Sequence, residues 1–269
     1  MTAVDDTALR VDLGGRRALV TGAGSGMGRS TSRVLAACGA DVVASDIDGE
    51  KAAETARMCR AAGGQAADLR LDVTDDDAVL AAVDRVAAER GPIDIAVMCA
   101  GIGAFAPIED VTEAELDGVM AVSLRGTYSV TRATLPAMRR NGWGRLIGFS
   151  SLNGKTPFAE LAHYSAAKAA IIGFTQAVGL EVAATGVTVN CVCPGMVDTP
   201  LLDADLELMQ RTDPAATMDD VRVALGADVP LGRVAQPVEI ARMVAFLASD
   251  AGGYITAQAV NVCGGMELH

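Results

Sequence analysis

Seven short runs of strand length, at 18–20, 41–45, 67–71, 93–98, 145–149, 187–192 and 259–262, are mostly apolar with little strict alternation. Between them, at 29–38, 50–62, 75–89, 113–139 and 164–184, apolar residues recur every three or four positions, the period of an amphipathic helix. Strands apolar on both faces are covered on both faces, and strands separated by helices pair in parallel through right-handed crossovers. The pattern therefore predicts an α/β fold: a doubly wound, seven-stranded, mostly parallel sheet with helices on both sides. No internal repeat and no low-complexity linker interrupts it, so residues 14–269 read as one domain behind a flexible segment at 1–13. The exception is 201–227, rich in Asp, Met and Leu, which sits where the sixth strand needs only a short connection. Its helical spacing marks it as a substrate lid.

Composition narrows the choice of partners. Of 269 residues 51% are hydrophobic, enough for a large core, but only 3% are aromatic, which argues against a base-stacking surface. Thirty-four acids against 22 bases give a net charge of -12 that repels phosphate polymers and anionic membranes. Neither nucleic acid nor a membrane is an expected partner. The first 13 residues contain aspartates and no apolar stretch of signal-peptide length, so a cytoplasmic location is expected. Six cysteines, at 38, 59, 99, 191, 193 and 263, lie mostly in apolar segments and read as reduced core residues. Cys191 and Cys193 form a C-x-C pair without a second Cys/His pair nearby, and no metal site is expected.

The first predicted strand runs into Thr21-Gly22-Ala23-Gly24-Ser25-Gly26-Met27-Gly28, and a helix follows. A glycine-rich strand-to-helix turn lets Gly22 make the tight bend, Gly26 approach a pyrophosphate and Gly28 pack helix on strand, with the helix N-terminus facing the anion. Ser25 and Met27 lie in the same turn. The second strand ends at Asp46-Ile47, about 20 residues on, where a carboxylate accepts hydrogen bonds from the adenosine ribose. These features predict a Rossmann-type site. Asp46 would repel a 2′-phosphate and Ser25 adds no compensating charge, so the expected cofactor is NAD rather than NADP. Arg29, the one nearby base, is expected to cap or pack on the helix surface.

The chemistry-bearing stretch is Ser150-Ser151 followed by Tyr164-Ser165-Ala166-Ala167-Lys168. Tyr164 and Lys168, at i and i+4, share a helix face. A free phenol titrates near about 10, and an adjacent ammonium stabilises the phenolate, so the pair suits proton transfer near neutrality. Glycine turn, Ser151, Tyr-x-x-x-Lys and Pro194-Gly195 occur in that order, and in this the chain resembles the short-chain dehydrogenase/reductase family over 15–265. The resemblance implies that Tyr164 is the acid/base, Ser151 bonds the substrate oxygen, and Lys168 tunes Tyr164 and holds the nicotinamide ribose. It further implies adenine contacts from Asp72-Val73, cofactor contacts from Cys99-Ala100-Gly101, and a carboxamide loop, Pro194-Gly195, in which Val197 and Thr199 make contacts.

Two positions depart from the family pattern. Cys99 stands where an asparagine is usual, and Ser123 where a catalytic asparagine usually holds a relay water. A serine hydroxyl reaches less far and has one donor, so an altered water path is expected while the Tyr/Lys chemistry persists. His163 is expected at a pocket wall or helix start, with Phe158, Met196 and the lid lining the pocket, and the resemblance of the last helix and strand implies a homotetramer or a homodimer. The expected function is NAD-dependent interconversion of a secondary alcohol, polyol or sugar-like compound, with its ketone. An NADPH-dependent 3-oxoacyl-thioester reductase shares the same motifs, and a non-catalytic dinucleotide sensor is the reading that Ser123 and Cys99 favour.

Overall fold

The structure, a computed structural model, describes residues 11–103, 105–203 and 217–269. Seven strands, β1 (Arg17–Thr21), β2 (Asp41–Asp46), β3 (Gln65–Arg70), β4 (Ile95–Met98), β5 (Gly144–Phe149), β6 (Val187–Pro194) and β7 (Ala259–Val262), form one sheet in the order β3-β2-β1-β4-β5-β6-β7. Every pairing is parallel. Residue alternation sends Ala18 and Val20 to one face and Leu19 to the other, and the same division separates Val42 from Val43 and Ile95 from Ala96. Each face thus has its own buried layer, which explains why the strands read as continuously apolar.

Helices α1 (Gly26–Ala37), α2 (Gly49–Ala61), α3 (Asp76–Arg90), α4 (Glu113–Met120), α5 (Gly126–Asn141), α6 (Ala162–Val182), α7 (Met218–Ala227) and α8 (Pro237–Ala248) surround the sheet. Local chemistry sets their starts: Asp48 and Asp75 accept first-turn amides of α2 and α3, Thr112 and Thr217 form capping boxes with Glu115 and Asp220, and Pro237 occupies the first turn of α8. The connection reverses direction between β1 and β4, opening a crevice at their carboxyl ends. There Gly22 follows β1 and Cys99–Gly101 follow β4.

Three expectations change. The single helix expected at 113–139 is interrupted by a π-helical turn, Ala121–Arg125, which joins α4 to α5 and contains Ser123. An i→i+5 turn re-aims side chains without ending the helix, so apolar spacing alone does not reveal it. Packing against the domain also includes a residue before 14: Leu13 is buried, and its amide donates to Cys38 O at 2.8 Å. Within the expected lid, helical turns cover 200–203 and α7, while 204–216 lie outside the described residues.

Candidate active site

The glycine turn is built as a cradle. A Cβ on Gly28 would collide with the carbonyl oxygen of Gly22, and one on Gly22, whose φ is +65°, would lie 2.8 Å from the backbone of Ala100. Only glycine keeps these backbones this close. Ser25, the N-cap of α1, makes no side-chain cap bond, and Gly26 and Met27 follow it in the first turn. Gly26 lies next to Thr199, whose Cγ2 would be 3.3 Å from an added Cβ, so the turn and the loop after β6 meet.

Asp46 ends β2 at the side of this cradle. Its Oδ2 accepts the amide of Gly24 at 2.8 Å and its Oδ1 that of Asp48 at 3.0 Å, so the carboxylate braces the glycine turn directly. Arg29 neither caps nor simply lies on the helix surface. Its guanidinium bonds Gly24 O at 2.5 Å, Glu54 Oε2 at 2.6 Å and Thr55 Oγ1 at 3.1 Å, and is thereby committed to α2. Exposed Ile47 and Asp72 line one shallow hollow with Arg70 and Arg85. Asp72 is not the cap of α3. It accepts from Thr74 N and Oγ1, bonds that hold its carboxyl below the usual range. Val73 packs under Gly126 at the start of α5.

Cys99 makes no strand-tying amide bond; the hydroxyl of Thr21 accepts the Ala100 amide at 3.3 Å instead. Burial pushes the Cys99 thiol up to about 12, against the opposing pull of Lys168. Lys168 itself is buried, and its Nζ donates to Phe149 O at 2.9 Å. Desolvation holds its ammonium down to about 8. The ammonium lies 5.4 Å from the centroid of the Tyr164 ring. Ser150 Oγ donates to the Lys168 carbonyl at 2.8 Å and locks β5 to α6. Ser151 Oγ accepts the Asn153 amide at 3.1 Å, which leaves its hydroxyl proton to donate elsewhere. Gly101 sits between two of these groups: a Cβ there would be 3.3 Å from Lys168 Nζ and 3.9 Å from Ser123 Oγ. The Ser123 hydroxyl is buried and has no protein partner.

A cavity of about 350 Å³ brings together Ser151, Tyr164, Met27, Pro194, Gly195, Val197 and Thr199, with Phe158 and Met196 in its wall. His163 is not in this wall. It is buried on the other side of α6, where it lines a hollow with Ile108, Thr112 and Leu116, because consecutive helical residues point about 100° apart. Sequence spacing missed Phe105, Asp228 and Met266, which reach the cavity from separate segments, whereas Leu225 in the same wall falls within the expected lid. It also missed Arg222 on α7, which pairs with Asp198, Asp203 and Asp219 and ties that helix to the loop after β6. No local motif announces these contacts; the acid-rich composition of 201–227 was the one available sign.

A family model described as enoyl-(acyl carrier protein) reductase matches residues 22–267. The chain is 40% identical over 251 residues to cis-4-hydroxycyclohexanecarboxylate dehydrogenase of Sinomonas cyclohexanicum, covering 93% of this chain and 96% of the relative. It is also 40% identical to an acetoacetyl-CoA reductase of Allochromatium vinosum, over 94% of this chain and 99% of that one. Among solved structures, gluconate 5-dehydrogenase of Burkholderia cenocepacia in complex with NADP and tartrate superposes with a TM-score of 0.86 at 33% identity, covering 96% of this chain and 97% of that one. The 3-ketoacyl-(acyl-carrier-protein) reductase of Brucella melitensis complexed with NADH gives 0.85 at 30% identity, over 96% and 100%.

Proposed function

The chain belongs to the short-chain dehydrogenase/reductase family, and from that premise we propose that it is an NAD-dependent dehydrogenase interconverting a secondary alcohol and its ketone. The observation that carries the NAD reading is the pair formed by Asp46 and Arg29. A carboxylate stands where the adenosine ribose would lie, and the nearby guanidinium is already bound to Glu54 and Gly24. A 2′-phosphate would meet a negative charge with no free cation from the glycine turn.

The residues fit a dinucleotide. A cradle that a Cβ would fill, an α-helix opening at its mouth and a carboxylate at the end of β2 are the features that hold pyrophosphate and ribose. When bound, the nicotinamide supplies the hydride acceptor or donor. Tyr164 takes the hydroxyl proton as the alcohol carbon gives up its hydride, and returns it in the reverse direction. Ser151 donates its hydroxyl to the same substrate oxygen. Lys168, held by Phe149 O, places a positive charge under Tyr164 and favours its phenolate. Ser123 and Lys168 frame the space beside Gly101 through which a proton can pass to water.

The alternative of an NADPH-dependent thioester reductase draws on the relatives that carry that name, and the Asp46 carboxylate disfavours that cofactor. Steady-state kinetics with NAD and NADP, on wild type, Asp46→Ala and Tyr164→Phe, test the assignment. The wild type is expected to prefer NAD by roughly 100-fold, Asp46→Ala to lose most of that preference, and Tyr164→Phe to lose roughly 1,000-fold in turnover with either cofactor. Equal use of both cofactors by the wild type would defeat the NAD reading.

A further inference from the structure

We propose that the substrate is an uncharged, hydrocarbon-bodied secondary alcohol or ketone rather than a carboxylate, a phosphate or a polyol; this rests on the dehydrogenase reading above. Two observations carry it. Beyond the serine and tyrosine at its base, the cavity wall is mostly apolar: Phe105, Phe158, Leu161, Leu202, Leu225 and Met266 enclose it from different elements. Among the described residues lining it, Asp228 is the one charged side chain other than the ionisable Tyr164, and it is negative. Among the described residues a carboxylate or phosphate would find no cationic partner in this lining, and it would pass a like charge.

The second observation is that most oxygens of the remaining polar lining are engaged within the protein, which leaves the Asn153 Nδ2 and the Asp228 carboxylate. Asn153 Oδ1 accepts the Phe158 amide at 3.1 Å, and Ser150 Oγ donates to Lys168 O at 2.8 Å. Thr199 Oγ1 donates to Val197 O at 3.3 Å and accepts the Leu202 amide at 3.4 Å. A polyol would bury hydroxyls with few partners left for them, and each unpaired hydroxyl is unfavourable. One oxygen, by contrast, is well served by Ser151 and Tyr164. The reaction consumes the alcohol and NAD⁺ and yields ketone, NADH and one proton: hydride leaves the carbinol carbon for the cofactor and the hydroxyl proton leaves through Tyr164.

The test compares 4-methylcyclohexanol, 4-hydroxycyclohexanecarboxylate and gluconate with NAD⁺ by kcat/KM, and 4-methylcyclohexanone by quenching of NADH fluorescence on the enzyme. The neutral alcohol should exceed each anion by ~30-fold or more. Leu225→Arg should cut its lead over the cyclohexane carboxylate by ~10-fold or more, and Met266→Arg serves the same purpose if that variant does not fold. Equal or better use of either anion would overturn the proposal. Failure of the neutral alcohol to react and of the neutral ketone to bind would overturn it as well, while Tyr164-dependent NADH formation from one of the anions would leave the dehydrogenase reading standing.

Discussion

A lysine ammonium with 5% of its surface exposed is held at a thermodynamic disadvantage, and Lys168 shows its size. Its single carbonyl partner, Phe149 O, does not replace full hydration, and its proton affinity falls to about 8 from the ordinary 10.5. Below about pH 8 the folded chain must bury the charge, whereas the unfolded chain keeps it hydrated to about pH 10.4. Between those values the unfolded state binds the extra proton, so this group's contribution to stability rises with pH. Compared with Lys168→Met, the wild type should therefore gain about 2–3 kcal/mol between pH 7 and 10.5 by denaturant unfolding. A constant difference would show that the ammonium is not desolvated. The same substitution should lower kcat by roughly 100- to 10,000-fold, because the residue that burdens the fold is the one that lends Tyr164 its basicity.

Among the elements, the π-helical turn Ala121–Arg125 matters most to the chemistry. It turns Ser123 inward, buried, with its hydroxyl unpartnered by protein and its position close to Gly101 and Lys168. An orphaned buried hydroxyl is unfavourable unless water or a ligand completes it. Ser123→Ala should lower turnover about 10-fold, far less than loss of Tyr164, with a larger solvent isotope effect as the proton path lengthens. Ser123→Asn should match or exceed the wild type, since a longer amide restores the reach that serine lacks; a large drop in its kcat would show that serine itself is required. The loop after β6 is the other sensitive element. It contacts the glycine turn through Thr199 and α7 through the Arg222 pairs, so the glycine turn and α7 are joined through it.

At the scale of the whole molecule, a chain of net charge -12 nevertheless shows an apolar face across α4, α5 and α6, where Leu116, Tyr128 and Leu180 are 42%, 42% and 74% exposed. Exposed apolar patches of this kind are characteristic of subunit contacts. We propose that copies of the chain associate through this face in the homotetramer that the family resemblance implies. Sedimentation velocity should show four chains for the wild type and fewer for the double substitution Tyr128→Lys and Leu180→Glu; an unchanged assembly would exclude this face.

The sequence by itself determined the sheet, the two-faced core and the order of the elements, because continuous apolar runs and helical spacing are local consequences of burial on both sides. It also marked Gly22, Gly28, Asp46, Ser151, Tyr164 and Lys168, whose residue types at these spacings suit the tight turns and the ribose recognition and proton transfer proposed for them. What only the tertiary structure decided depends on long-range packing. The π turn at Ser123 lies inside an uninterrupted apolar rhythm. Arg29 is spent on α2, 25 residues away in sequence at Glu54. The cavity draws Phe105, Leu225 with Asp228, and Met266 from three distant segments. Local spacing fixes which residues share a face, but the partners across that face are set by how the layers close, and substrate preference is written there.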